Sequence, residues 1–161
     1  MNAWENEPNE LGWTDKKTGY ECLILRMRDA GHLCGYVRLP EGHPLYGVGY
    51  SAEFPELLKS LAEVEMNSPV GKRGAINVFF MALRGSMSVG DLFDVHGSIT
   101  FSGRMRNREG FWYGFDCAHA GDLQPESAKR YGFDPEGVYR DIEYVKTECT
   151  RLAAQLAQAV S

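Results

Sequence analysis

The sequence predicts an α+β domain in which an antiparallel sheet of hairpins packs against a long C-terminal helix. Two observations carry this prediction: β-rich runs that follow one another in pairs around short loops, and one amphipathic stretch near the C-terminus. A chain of 161 residues is about one domain's length. We therefore expect residues 1–161 to form a single domain, and the sequence leaves open whether residues 1–19 are an irregular N-terminal segment.

The first predicted hairpin joins Tyr20–Met27 to Leu33–Leu39, two β-rich runs separated by RDAGH. The aspartate and glycine of that loop suit a short turn, and His32 is expected to be solvated at its tip. The following stretch, Pro40–Tyr50, holds two prolines and three glycines and predicts an ordered loop. A helical period of leucines then predicts a short helix over residues 52–66, and the apolar run Ala75–Leu83 predicts a buried strand.

The second predicted hairpin joins Phe93–Gly103, where apolar and polar residues alternate, to Phe111–Cys117. Pairing across the loop Met105–Glu109 places Ile99 and Phe115 together on the core face. A shift of one residue would bury a carboxylate without a partner, at a cost of several kcal/mol. The pattern therefore predicts the register in which Arg104 pairs with Gly110.

This register predicts a polar face on the sheet, with Ser98 opposite Asp116 and His96 opposite Ala118. His119 and Asp122 follow just beyond the end of the strand. The predicted polar face consists of Asp94, His96, Ser98, Thr100, Trp112 and Asp116.

The C-terminal stretch Tyr139–Val160 predicts an amphipathic helix, because its apolar residues recur three or four positions apart. These residues are Ile142, Val145, Cys149, Leu152, Leu156 and Val160. The helix is expected to cover the core face of the sheet.

The histidines and aspartates near the sheet end predict a polar site with two alternative chemistries. In the first, His96, Asp116, His119 and Asp122 bind zinc or manganese, and His96, Asp116 and His119 serve as catalytic residues in a metal-assisted hydrolysis. In the second, the histidines bind an anionic ligand without metal. The structural alternative to both is that Asp116 and Asp122 only cap the turn and the segment is an ordinary strand end. A Cys117 nucleophile with His119 as base is a weaker candidate, because Cys117 falls on the predicted apolar face.

Five further residues are candidates for ligand or partner contact. His43 either reaches over the polar face or is a turn histidine, and Trp112 either stacks on a ligand or is covered by the Pro40–Tyr50 loop. The hairpin tip carries Arg104, Arg106 and Arg108, which either bind anions together or are solvated.

The composition of the chain limits the cellular compartments and the classes of binding partner that we expect for the protein. The net charge of −5 argues against general nucleic-acid binding, and no apolar run is long enough to cross a membrane. The N-terminal residues show no basic or apolar targeting signal, and the four scattered cysteines predict reduced thiols. We therefore expect a soluble, cytoplasmic protein, and the sequence leaves its oligomeric state open.

Four segments carry a resemblance to a family: EGHP, VHGSITFSG, WYGFDCAHAGD and YRDIEYVKTE. Over roughly Leu33–Leu156 the chain resembles small proteins of unassigned function encoded by bacteriophages and prophages. Ser98 stands where a second glycine would be expected after VHG.

The resemblance implies phage origin and brings no activity with it. The resulting prediction is a phage accessory protein in the host cytoplasm. It would counter a host antiviral system by binding a host protein or a signalling molecule through a polar pocket on the sheet. The alternative is a metal-assisted hydrolase acting on a small or nucleotide-like molecule.

Overall fold

The computed structural model describes residues 3–52, 88–131 and 137–159. The predicted helix over residues 52–66, apart from Ala52, and the predicted strand Ala75–Leu83 lie outside the described residues. The described elements are α1 (Ala3–Asn6), β1 (Glu10–Thr14), β2 (Glu21–Arg26), β3 (Leu33–Leu39), a 3-10 helix (Val89–Leu92), β4 (Phe101–Gly103), β5 (Phe111–Asp116), α2 (Pro125–Tyr131) and α3 (Ile142–Gln158).

The five described strands form one antiparallel sheet in the order β1-β2-β3-β5-β4. This sheet and the C-terminal helix confirm the predicted α+β class. The first hairpin is also confirmed, since β2 pairs with β3. The N-terminal segment is more ordered than an irregular segment would be, because β1 pairs with β2 and directs Leu11 and Trp13 to the core.

Helix α3 covers one face of the sheet, which we call the core face. Asp141 caps its first turn by accepting a hydrogen bond from the Tyr144 amide at 2.9 Å, so the helix begins at Ile142 rather than at Tyr139. Gly35 of β3 lets the helix approach, because a Cβ there would lie 2.7 Å from Cys149 Sγ. The residues predicted for the buried face are buried as far as the structure describes them, namely Ile142, Val145, Cys149, Leu152 and Leu156.

The second hairpin departs from the predicted register by one residue. Gly103, not Ser102, pairs with Trp112, and Phe101 pairs with Gly114. The predicted pairs of Ser98 with Asp116 and of His96 with Ala118 are therefore wrong.

The physical reason for the different register is a turn at Val95–Ser98 that ends the alternating pattern. The Ser98 amide donates to the Val95 carbonyl at 3.0 Å, and Gly97 and Ser98 have φ values of 66° and 70°. Strand β4 is thereby reduced to three residues. Ile99 and Phe115 are nevertheless both buried, at 4% and 1% exposure.

The face of the sheet opposite α3, which we call the outer face, carries Leu23, Tyr36, Arg38 and Trp112. The strand pairing aligns Leu23 with Tyr36, and Arg38 with Trp112. Asp116 lies on the same face at the end of β5, next to Cys34 across the ladder. The outer face is therefore apolar in its middle and charged toward its ends.

Two further observations concern the cysteines and the helices. All four cysteines are free and buried. Within the described ranges, no helix is both long and apolar enough to cross a membrane.

Candidate functional site

The structure brings His96, Asp116, His119 and Asp122 together at the end of the sheet, and we call this group with His32 and Tyr144 the histidine–aspartate cluster. The ring centroids of His96 and His119 lie 6.0 Å apart. The predicted convergence is present, but the Val95–Ser98 turn produces it, not the strand ladder. Among the residues of this cluster, His32 and Tyr144 were not predicted.

His96 is held at both ring nitrogens. Its Nε2 lies 2.7 Å from Asp122 Oδ2, and its Nδ1 lies 2.8 Å from the Tyr144 hydroxyl. A carboxylate only accepts hydrogen bonds, so the proton in the neutral ring is assigned to Nε2, and Nδ1 accepts from Tyr144. Neither nitrogen of His96 is therefore free for a ligand in this arrangement.

Asp122 is the buried anchor of the cluster, with a side chain only 1% exposed. It accepts from His96, from Arg140 Nε at 2.9 Å and from the His119 amide at 3.1 Å. Burial by itself raises the pKa of Asp122, but these hydrogen bonds outweigh burial and hold the pKa below its ordinary value. The carboxylate is therefore ionised and acts as a structural acceptor.

Asp116 and His119 form the accessible part of the cluster, with side chains 31% and 34% exposed. His119 Nε2 lies 3.1 Å from Asp116 Oδ1, but the orientation is not that of a hydrogen bond, so Nε2 has no hydrogen-bond partner among the described residues. Asp116 accepts from Thr100 Oγ1 and from the Ala118 amide, each at 3.1 Å. This capping is the alternative role that the sequence allowed for Asp116.

The His119 ring also explains the glycine of the Val95–Ser98 turn. A Cβ on Gly97 would lie 2.1 Å from His119 Nε2. The ring therefore occupies the space that any larger residue at position 97 would need, and the positive φ favours glycine there as well.

His32 lies in the cluster rather than in solvent, which corrects the sequence expectation. It is 8% exposed, and its Nδ1 has no hydrogen-bond partner in the described part of the chain. Burial lowers the pKa of His32, and the nearby charges of Asp116 and Asp122 offset only part of that effect. No local pattern distinguishes this residue from a solvated hairpin histidine, because its burial comes from the loop that follows β5.

The cluster does not fit the predicted zinc or manganese centre as it is arranged. Within residues 3–52, 88–131 and 137–159, no three His, Cys, Asp or Glu side chains are placed to hold one metal ion. The arrangement gives no support to metal-assisted hydrolysis, which stays an untested prediction. Cys117 is a poor nucleophile, because it is 1% exposed and burial raises its pKa well above the ordinary value.

His43 is a buried structural residue and does not reach over the polar face. It is 4% exposed, and its Nδ1 accepts from the Leu45 amide at 3.0 Å. The ring proton is therefore assigned to Nε2, which donates to the Leu156 carbonyl of α3 at 2.8 Å. His43 joins the Pro40–Tyr50 loop to the helix.

The three arginines of the hairpin tip do not present one common surface. Arg104 lies over the Tyr46 ring, 5.7 Å from its centroid, and Arg108 pairs with Glu10 of β1. Arg106 is exposed at the turn. The hairpin tip therefore reaches across the outer face to the opposite edge of the described sheet.

A cavity of about 480 Å³ opens on the outer face beneath this tip, and we call it the sheet pocket. Of the two alternatives for Trp112, a ring that stacks on a ligand or a covered ring, the structure has the covered one: Trp112 is 4% exposed, and its Nε1 donates to the Glu109 carbonyl at 3.1 Å. The lining residues of the sheet pocket that offer charged groups or apolar surface to a ligand are Glu21, Leu23, Arg38, Arg108, Glu109 and Trp112.

The sheet pocket contains two residues that the sequence predicted for ligand contact, Trp112 and Arg108. It also contains Arg38 and Glu21, which the sequence analysis missed. Arg38 is the one charged residue in the otherwise β-rich run LCGYVRL, and this was the available signal.

The described residues form an α+β protein in which a helix covers one face of the sheet. The histidine–aspartate cluster lies at the end of the sheet, and the sheet pocket opens on the face that the helix leaves uncovered. Comparisons with protein-family models, with curated proteins and with solved structures found no match for this chain.

Proposed function

We propose that this protein is a phage accessory protein that counters a host defence by sequestering a small polar molecule in the sheet pocket. The observation that supports this proposal is the cavity of about 480 Å³, with guanidinium and carboxylate groups around an apolar floor. Ligand pockets in proteins are commonly about 300–1,000 Å³ and combine an apolar lining with a few polar groups. The phage origin rests on the resemblance of the sequence motifs.

The chemistry of the sheet pocket favours binding over catalysis. Arg38 Nη1 and Glu21 Oε2 form an ion pair at 2.8 Å, and Arg108 pairs with Glu10 of β1. Cys22 borders the pocket, but its thiol lies in the hydrophobic core, where the residue is 2% exposed and burial raises its pKa to about 12. A nucleophile of that kind is inert at neutral pH, so the described lining supplies recognition groups without an activated nucleophile.

The test compares phage plating on bacteria that carry a defence system with a small-molecule signal, with and without this protein. We expect the wild type to restore plating and Arg38→Ala to lose most of the effect. Arg106→Ala is the matched control, because Arg106 is an exposed arginine on the hairpin tip above the pocket and does not line the pocket. Full counter-defence by Arg38→Ala at equal protein level would overturn the proposal.

A second measurement examines the bound molecule directly. Protein purified from infected cells is denatured, and the released small molecules are analysed by mass spectrometry. We expect a compound that is present with the wild type and with Arg106→Ala and depleted with Arg38→Ala. A host protein that is captured equally by all three forms, with no released compound, would contradict small-molecule sequestration.

A further inference from the structure

We infer that the ligand of the sheet pocket is a nucleotide-sized molecule that carries both an anionic group and N–H donors. The inference rests on the proposed binding function and adds the chemistry of the ligand. It comes from the juxtaposition of two guanidiniums, Arg38 and Arg108, with two carboxylates, Glu21 and Glu109, around one cavity.

The guanidiniums of Arg38 and Arg108 are the anion-binding groups of the sheet pocket. The structure gives each a carboxylate partner, Glu21 for Arg38 and Glu10 for Arg108. A guanidinium has five N–H donors, so one such contact leaves donors for a ligand. The Arg38 and Arg108 side chains are 30% and 34% exposed, and a planar fork of donors matches the oxygens of a phosphate or a carboxylate.

The two carboxylates exclude a simple anion as the best ligand. Glu21 is 51% exposed in its side chain, and Glu109 is exposed at the hairpin tip. A bare phosphate bound to Arg38 would lie close to the Glu21 carboxylate and be repelled by it. A ligand that offers N–H groups to these carboxylates turns the same residues into favourable contacts.

The floor of the sheet pocket sets the size and the mode of recognition. Leu23 and Trp112 are 2% and 4% exposed, and the Trp112 indole N–H is held by the Glu109 carbonyl. The indole is too covered to stack on a base, so hydrogen bonds at the rim must provide specificity. A free amino acid carries the same two kinds of group but would leave much of a cavity of about 480 Å³ unfilled.

The experiment is isothermal titration of the purified full chain with the 5′-monophosphates of adenosine, guanosine, cytidine and uridine, each measured separately. The four corresponding nucleosides, inorganic phosphate and glutamine are titrated in the same way, with buffer as the blank. We expect at least one monophosphate to bind at least tenfold more tightly than its nucleoside and than phosphate. Glutamine or phosphate binding more tightly than every monophosphate would overturn the inference.

Variants of the pocket distinguish the binding of the anionic group from the binding of the N–H donors. Arg38→Gln is expected to weaken monophosphate binding at least tenfold and to leave nucleoside binding within twofold. Glu21→Gln is expected to weaken nucleoside binding and to strengthen phosphate binding, and therefore to weaken monophosphate binding less than nucleoside binding. Arg106→Gln is the control and should change none of the affinities, and thermal melting checks that each variant is folded.

The failures of the two proposals are distinguishable. If no monophosphate binds while counter-defence still depends on Arg38, the ligand inference is overturned and the proposed function stands. If monophosphates bind as expected while Arg38→Ala retains full counter-defence, the pocket has the inferred ligand chemistry and the proposed function is overturned.

Discussion

At the scale of single residues, the four histidines differ in what their nitrogens contact. His43 and His96 use both ring nitrogens in hydrogen bonds within the protein. His32 and His119 each have one buried nitrogen without a partner in the described part of the chain. The histidines with both ring nitrogens in hydrogen bonds therefore differ from the two with an unpartnered nitrogen, and of those two His119 is accessible and His32 is buried.

The first prediction compares His43→Ala with His119→Ala. His43→Ala should lower the free energy of unfolding by about 2–4 kcal/mol, because it leaves a cavity and removes the partners of the Leu45 amide and the Leu156 carbonyl. His119→Ala should lower it by less than about 1 kcal/mol, because that side chain is one-third exposed. Urea denaturation at pH 7.5 measures both, and equal losses would contradict the assignment.

The second prediction concerns pH. Burial lowers the pKa of both His32 and His43 from an ordinary value of 6.5, so below that value the unfolded chain binds more protons than the folded chain. Their contribution to stability is complete above about pH 6.5 and is lost as the pH falls from there through the lower pKa values of the folded state. Asp122, with its lowered pKa, adds its own loss only below its ordinary value of 3.8.

Urea denaturation at pH 7.5 and at pH 5.5 tests this dependence. The free energy of unfolding should be smaller at pH 5.5, and His32→Gln should reduce the difference between the two values. An unchanged difference in His32→Gln would mean that His32 does not contribute to it.

At the scale of elements, the contact between β3 and α3 depends on a missing side chain. A Cβ at Gly35 would lie 2.5 Å from the Phe115 ring and 2.7 Å from Cys149 Sγ. The helix therefore lies as close to the sheet as the backbone of β3 permits. The C-terminal end of the same helix is joined to the Pro40–Tyr50 loop by the hydrogen bond between His43 and the Leu156 carbonyl.

The third prediction is that Gly35→Ala lowers the free energy of unfolding by about 1–3 kcal/mol, because the added methyl group overpacks the core. Gly12→Ala in β1 is the matched control, since its Cβ would meet nothing closer than the Cys22 carbonyl at 3.8 Å. The control should change stability by less than about 0.5 kcal/mol. Chemical denaturation of the two variants measures the contrast, and similar values would show that the close approach is not maintained.

At the scale of the whole molecule, buried polar side chains join segments that are distant in sequence. Glu148 and Gln155 of α3 are 5% and 6% exposed and accept from the amides of His96 and Asp94 at 3.0 and 2.8 Å. Asp122 then connects His96 to the segment before α3 through Arg140. The Val95–Ser98 turn is thus held by the helix on one side and by Asp122 on the other.

The fourth prediction is that Asp122→Asn lowers the free energy of unfolding by about 3 kcal/mol. The loss follows because the buried carboxylate is removed from its two ionic partners, His96 and Arg140. Asp116→Asn is the control, since the Asp116 side chain is 31% exposed, and it should cost less than about 1 kcal/mol. Guanidinium denaturation at pH 7.5 distinguishes the two, and a small loss in Asp122→Asn would show that the network is dispensable.

Sequence patterns predicted much of the architecture because burial imposes periods on the chain. The spacing of Ile142, Val145 and Cys149 predicted the buried face of α3, and the β-rich runs predicted the first hairpin. The register of the second hairpin was not predictable, because alternation indicates which face a side chain takes and does not show where a turn interrupts the strand. The positive φ values of Gly97 and Ser98 interrupt it here.

By itself the sequence determined the α+β class, the unpaired cysteines and the group of histidines and aspartates at the sheet end. Only the tertiary structure decided that His32 and His43 are buried, that Trp112 is covered, and that a pocket opens between Arg38 and Arg108. Arg108 pairs with Glu10, a residue 98 positions away. Local periodicity depends on neighbours within a few residues, whereas a pocket depends on which distant segments are brought together, and side-chain packing alone specifies that.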